Sequence, residues 1–195
     1  MFIESLLMVL AYLLGSVSGA MLVCKTMGLA DPRTQGSGNP GATNVLRHGG
    51  KKAAIITLLL DIMKGVIAVL IAKLLTGSVI ILAGVTIAVF IGHLYPIFFN
   101  FQGGKGVATA FGALIALVWP VGLAALSTWI SIAILLRYSS LAAVVTAISA
   151  PIYMFWFTPI WEYRIICIAI GILLLWRHRS NIRKLLAGQE TKIGK

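Results

Sequence analysis

Acidic side chains are almost missing from this 195-residue chain. Glu4, Asp31, Asp61, Glu162 and Glu190 are the only five, and no two are close in sequence. Hard divalent cations need several oxygen ligands, usually carboxylates, so no metal site is expected. A metal-dependent phosphotransferase of the CDP-alcohol kind is set aside with it, because its acidic helix motif has no counterpart here. Cysteine is equally sparse. Cys24 and Cys167 stand far apart in apolar segments, without a CxxC or Cys/His cluster, which leaves them as packing residues rather than zinc ligands or a redox pair. No cofactor is implied. A basic n-region is missing too: Glu4 precedes a first apolar run long enough to span, so a retained segment is expected rather than a cleaved signal. Inverted repeats and matched broken helices, which mark many carriers, are also absent.

What the chain has instead is apolar surface: 59% of its residues are hydrophobic, 11% are charged, and the mean hydropathy is +1.00. Soluble domains carry about a quarter charged residues. An all-α integral membrane protein is expected, forming one domain over residues 1–195. Since a helix needs about 20 residues to cross the hydrocarbon core, the apolar runs divide into about seven transmembrane helices. They are 2–24, 53–75, 79–99, 107–119, 121–136, 141–157 and 164–176. The fourth and seventh are short for a full crossing, and need tilt, flanking turns or a thinned bilayer. Pro120, beside Trp119, is expected to make an interfacial turn between two runs.

The basic residues orient this bundle, because cytoplasmic loops carry the excess Lys and Arg. With the N-terminus outside and the C-terminus cytoplasmic, the basic positions from Lys25 to Lys195 fall inside. Only Lys73 and Arg164 lie outside, with Lys64 within a span. The net charge of +11 then reflects anionic lipid headgroups and orientation, not nucleic acid. The same topology gathers the polar, glycine-containing stretches 37–47, 93–106, 137–140 and 177–181 on the cytoplasmic face. A site assembled there from four loops is expected.

The first stretch reads SGNPGATNVLR, from Ser37 to Arg47. Gly38 and Gly41 let backbone approach a ligand, Ser37, Asn39, Thr43 and Asn44 offer donors, and Arg47 adds a planar fork suited to phosphate. An ordinary turn before a helix has the same composition. The second carries Gly103-Gly104-Lys105-Gly106 ahead of a span, where freed N–H groups, the helix dipole and one lysine favour an anion. It is not a Walker A loop, as no Ser or Thr follows the lysine. The third, Arg177-His178-Arg179-Ser180-Asn181, ends the last span. Orientation alone explains its basic residues, but not His178 and Asn181. Within spans, Gly15 and Gly19 read as helix packing, and Asp61 with Lys64 as either a neutralising pair or a support for the site.

Taken together, SGNPGATN with Arg47, GGKGVAT after GHxxP, and the HRxNI ending resemble the acyl-phosphate glycerol-3-phosphate acyltransferase (PlsY) family of bacterial phospholipid synthesis, over nearly the whole chain. Gln102 departs from the lysine frequent in that family and removes one charge from the mouth of the site. The resemblance implies transfer of a fatty acyl group from acyl phosphate to the 1-hydroxyl of sn-glycerol-3-phosphate, giving lysophosphatidic acid and phosphate at the cytoplasmic side of the bacterial inner membrane. It implies no cofactor. Its partners would be those two substrates, membrane lipids and the soluble enzyme that makes acyl phosphate. Ser37, Arg47, Lys105, His178 and Asn181 would be catalytic. Asn39, Gly41, Thr43, Asn44, Gly103, Gly104, Gly106 and Ser140 would bind substrate. No Asp lies five residues after His48, His93 or His178, where Ala53, Phe98 and Arg183 stand, so the base–carboxylate pair of other glycerolipid acyltransferases is missing. The leaving phosphate is the expected proton acceptor, with a Ser37 acyl-enzyme as the competing route. The alternative from another class is a small anion or phosphate-ester transporter.

Overall fold

A computed structural model describes residues 2–194; Lys195 lies outside them. The described chain is helical throughout. The helices are α1 (Phe2–Ser16), α2 (Gly19–Thr26), α3 (Ala42–Leu75), α4 (Val79–Leu94), α5 (Val107–Leu117), α6 (Trp119–Leu136), α7 (Ser139–Phe157), α8 (Trp161–Arg177) and α9 (Arg179–Leu186), with one 3-10 turn at Ile97–Phe99. Every apolar run read from the sequence contains a helix. Four helices are long and apolar enough to cross a membrane, and two bent pairs, α1 with α2 (43°) and α8 with α9 (59°), raise the number to six. The remaining one, α5, has 11 residues and so spans roughly 16 Å, about half of the hydrocarbon core. It is enclosed by its neighbours, which removes the need to match lipid thickness.

Two boundaries differ from the sequence reading. The reversal between α5 and α6 falls at Val118, and Pro120 stands in the first turn of α6. Proline lacks only an N–H that a first turn leaves unused anyway, so it starts that helix instead of making the turn. Helix α3 begins well before residue 53, but Gly50 (φ +81°) breaks it, leaving a short arm ahead of the span.

Burial is inverted relative to a soluble protein. Leu74, Leu135 and Trp156 are 85%, 75% and 76% exposed, while Thr57, Asp61, Lys64 and Thr86 are buried. Apolar surface facing outward costs nothing in lipid, and polar groups are turned inward, where Asp61, Lys64 and Thr86 find partners. Glycines set the helix spacing. A Cβ on Gly112 of α5 would collide with the Ile62 carbonyl of α3, and one on Gly65 of α3 with the Thr109 carbonyl of α5. Gly15 and Gly19 both pack closely, but against different helices: Gly15 against Val89 of α4 and Gly19 against Thr57 and Leu60 of α3.

Apart from the two bent pairs, successive helices reverse direction, so their connections alternate between two ends of the bundle. One end holds the 3-residue link 76–78, Val118 and 158–160. Its two cations serve helix termini: Lys73 donates to Leu117 O (2.9 Å), and Arg164 to Thr158 O (3.0 Å) and Phe155 O (3.1 Å). The other end holds 27–41, 95–106, 137–138 and everything beyond Arg177.

Candidate active site

Four helices, α3, α5, α7 and α9, begin at that second end, and none has a side-chain cap. The Asn44 N–H in the first turn of α3 is taken by Gly41 O (3.0 Å), but the positive dipole ends of these helices face a ligand or water. Contacts tie these starts together. Thr43 of α3 and Ser139 of α7 share a hydrogen bond (3.0 Å), Lys105 ahead of α5 donates to Asn181 Oδ1 of α9 (2.5 Å), and Asn181 Nδ2 donates to Glu190 Oε1 (2.9 Å). Ser140 of α7 donates to that same carboxylate oxygen (2.9 Å). The three sequence motifs thus meet at one place.

The 27–41 loop is built by short polar residues. Arg33 clasps Asp31 (2.7 Å), and the Asn44 amide donates to Pro32 O (2.8 Å) and Gln35 O (2.9 Å) while accepting from the Ser37 N–H (3.1 Å). Asn44, expected to bind substrate, is buried and spends both amide atoms shaping the loop. Gly38 takes φ +68°, the left-handed region that favours glycine; Gly41 is extended and caps α3 through its carbonyl. Ser37 is exposed and Asn39 half-buried beside Gly41. Arg47 reaches the tail, donating to Thr191 O at 3.4 Å.

The glycine-lysine loop is clamped from two sides. Gly104 N–H donates to His93 O (3.1 Å), and the Arg177 guanidinium donates to the carbonyls of Gly103 (2.8 Å) and Gly104 (2.9 Å). Gly104's N–H is thus used internally rather than freed. Among the described residues no protein acceptor takes the N–H of Lys105 or Gly106. Gly106 (φ +92°) packs on the Phe90 ring, where a Cβ would collide.

Electrostatics sharpen two of these groups. Burial, with Arg177, Lys184 and Arg47 nearby, pulls Lys105 down to about 8, against an upward pull from Glu190. Burial and then Lys105 push His178 down to about 4. Its Nδ1 lies 2.8 Å from Leu174 O; a carbonyl only accepts, so Nδ1 carries the proton and Nε2 is an acceptor in a neutral ring. The sequence reading missed the C-terminal tail. Glu190 joins Ser140 to Asn181 and its Oε2 is buried with no partner among the described residues, while Ile193 and Arg137 exchange backbone and guanidinium bonds (2.6 and 3.1 Å). A lone carboxylate in a basic tail was the available signal.

Fold and site together define a multi-pass α-helical membrane protein with a basic, acid-poor cluster of loops and helix starts at one end of its bundle. The model of the glycerol-3-phosphate acyltransferase family matches residues 5–188, and the chain belongs to that family. A glycerol-3-phosphate acyltransferase of Methylococcus capsulatus is 53% identical over 192 residues, covering 98% of this chain and 97% of the relative; one of Burkholderia multivorans is 57% identical over 191 residues, covering 95% and 88%. Among solved structures, PlsY, an integral membrane glycerol 3-phosphate acyltransferase, matches in its glycerol 3-phosphate form with a TM-score of 0.93 and 41% identity, covering 98% of this chain and 96% of that one. Its lysophosphatidic acid form matches with a TM-score of 0.91 and 40% identity, covering 98% and 95%. Membership in an acyltransferase family leaves the transporter alternative without support.

Proposed function

We propose that the chain, acting as one domain over residues 1–195, transfers a fatty acyl group from acyl phosphate to the 1-hydroxyl of sn-glycerol-3-phosphate, releasing phosphate and leaving lysophosphatidic acid in the membrane. The observation that carries this reading is the convergence of Arg47, Lys105 and neutral His178 where four uncapped helices start. Both substrates bear a phosphate, and an acid-poor cluster of cations and N–H groups suits two of them at once.

In this scheme the 1-hydroxyl oxygen attacks the acyl carbonyl carbon, a new C–O bond forms, and the bond from carbonyl carbon to phosphate oxygen breaks. The hydroxyl proton passes to the leaving phosphate, which is already in place as an acceptor. His178 is too weak a base at about 4 to take that proton, so its Nε2 orients the hydroxyl. Lys105 and Arg47 hold the phosphates and offset the developing charge. Asn181 fixes Lys105, Ser140 and Asn181 fix Glu190, and Glu190 Oε2 offers an acceptor to a glycerol hydroxyl. Acyl phosphate is an activated anhydride, and positioning supplies much of the remaining barrier reduction. Ser37 acts as a binder: among the described residues no histidine or carboxylate is hydrogen-bonded to its hydroxyl. Asn39, Gly41, Thr43, Gly103 and Gly106 bind substrate alongside it.

The charge distribution supports an orientation with the site end and C-terminus cytoplasmic and the N-terminus outside, in a bacterial inner membrane. A soluble acyl-phosphate-forming enzyme is the corresponding partner. Purified protein given acyl phosphate and glycerol-3-phosphate should release phosphate and form lysophosphatidic acid, and should do neither with acyl-CoA. Absence of phosphate release sinks the proposal; an acyl group trapped on Ser37 replaces the direct route by the two-step one.

A further inference from the structure

Beneath the glycine-lysine loop, inside the bundle, three ionisable side chains meet that the acyl-transfer scheme does not use. Asp61 and Lys64 of α3 and His93 of α4 are all buried. Lys64 Nζ lies 3.0 Å from Asp61 Oδ1, 2.9 Å from His93 Nδ1 and 2.7 Å from Val17 O. An ammonium has three protons and no lone pair, so each proton has one of these partners and the group is held in one orientation. His93 Nδ1 must then accept, which places the imidazole proton on Nε2. Asp61 Oδ1 also accepts from the Gly19 N–H (3.3 Å). Val17 and Gly19 flank the 43° break between α1 and α2, so the cluster fixes that break and α4 against α3.

Mutual neutralisation needs only Asp61 and Lys64. His93 adds something else, because its outer side is the floor of the catalytic loop. Its carbonyl accepts the Gly104 N–H, and its Nε2 edge occupies the space a Cβ on Gly104 would fill. Arg177 grips the carbonyls of Gly103 and Gly104 from the opposite side. The next residue is Lys105.

We propose that Asp61, Lys64 and His93 form a positioning device that sets the height of the Gly103–Gly106 loop, and through it the place of Lys105 and of the substrate phosphate it holds. This role rests on the acyl-transfer reading above. Losing it shifts the phosphate site rather than the reacting groups, so its signature is weaker binding with chemistry largely kept.

The test is steady-state kinetics on the full chain in detergent or vesicles, with both substrates varied. His93→Ala should raise KM for at least one of the two phosphate-bearing substrates about tenfold, with kcat per folded enzyme within about threefold. His93→Asn, which keeps an acceptor near Nδ1 for Lys64, should recover part of that loss. A double variant, Asp61→Asn with Lys64→Met, removes both charges together and avoids leaving one buried alone. It should fold and show the same KM rise. If both KM values in His93→Ala and in the double variant stay within about twofold of wild type, the positioning role is overturned whatever happens to kcat. Wild-type protein run alongside separates the two claims: no turnover there overturns the acyl-transfer reading, whereas turnover with unchanged variant KM values overturns this one alone.

Discussion

Lys105 and His178 divide the work of the site because the same burial acts on an ammonium and an imidazole that start from very different pKa values. Water loss disfavours the charged form of each. For His178 the result is a neutral ring throughout the working range, so its removal should not abolish a titration. His178→Ala should lower kcat about a hundredfold by loosening the attacking hydroxyl, while any inflection at about 6.5, where the substrate phosphates themselves titrate, should be the same in variant and wild type. For Lys105, whose pKa is brought to about 8, the charge is present below that pH and lost above it. The kcat/KM profile, which reports the free enzyme, should therefore fall above about pH 8 with a single-proton slope. Bound phosphate favours the cation, so the fall in kcat lies higher. Lys105→Arg should move the kcat/KM fall beyond about pH 10, since guanidinium stays charged up to about pH 12; a fall unchanged in this variant assigns the titration elsewhere.

At the scale of elements, helices meet through glycine, and the loops they carry inherit that tightness. A side chain at Gly112 has only the Ile62 carbonyl to displace, and α5 is too short and too enclosed to slide away. Gly112→Val should separate α3 from α5, costing about 1–3 kcal/mol from overpacking, visible as a lower unfolding temperature in detergent. Gly106→Ala meets two penalties, the left-handed backbone at about 1–2 kcal/mol and collision with the Phe90 ring. It should lose activity further than it loses stability, because Gly106 also starts the helix whose N-terminus faces the site. The motif glycines are not equivalent: Gly41 is extended and Gly104 is limited by the His93 ring, distinctions that spacing in sequence does not carry.

For the whole molecule, the site exists only because segments far apart in sequence touch at one end of the bundle. The tail shows this most directly. Residues beyond Gly188 touch Arg47, Arg137, Ser140 and Asn181 yet lie outside the apolar core. Truncation after Gly188 should leave the unfolding temperature nearly unchanged and lower kcat/KM at least tenfold, since it deletes the carboxylate that holds Asn181 against Lys105. Equal loss of stability and activity would make the tail part of the fold instead.

Hydropathy and charge in the sequence determined the helical membrane class, the positions of the spans and the grouping of polar loops at one end. Those properties follow from the cost of placing backbone and charge in lipid, which is local to each segment. The motifs also pointed to Lys105, His178 and Asn181 as neighbours, because odd and even spans must alternate. Tertiary structure alone decided what each residue does there. It turned Asn44 inward to build its loop, moved the α5–α6 reversal from Pro120 to Val118, brought Glu190 into the site and set His93 under Gly104. Each of those outcomes depends on which helices can approach within a glycine's width, a property of packed surfaces that no single segment contains.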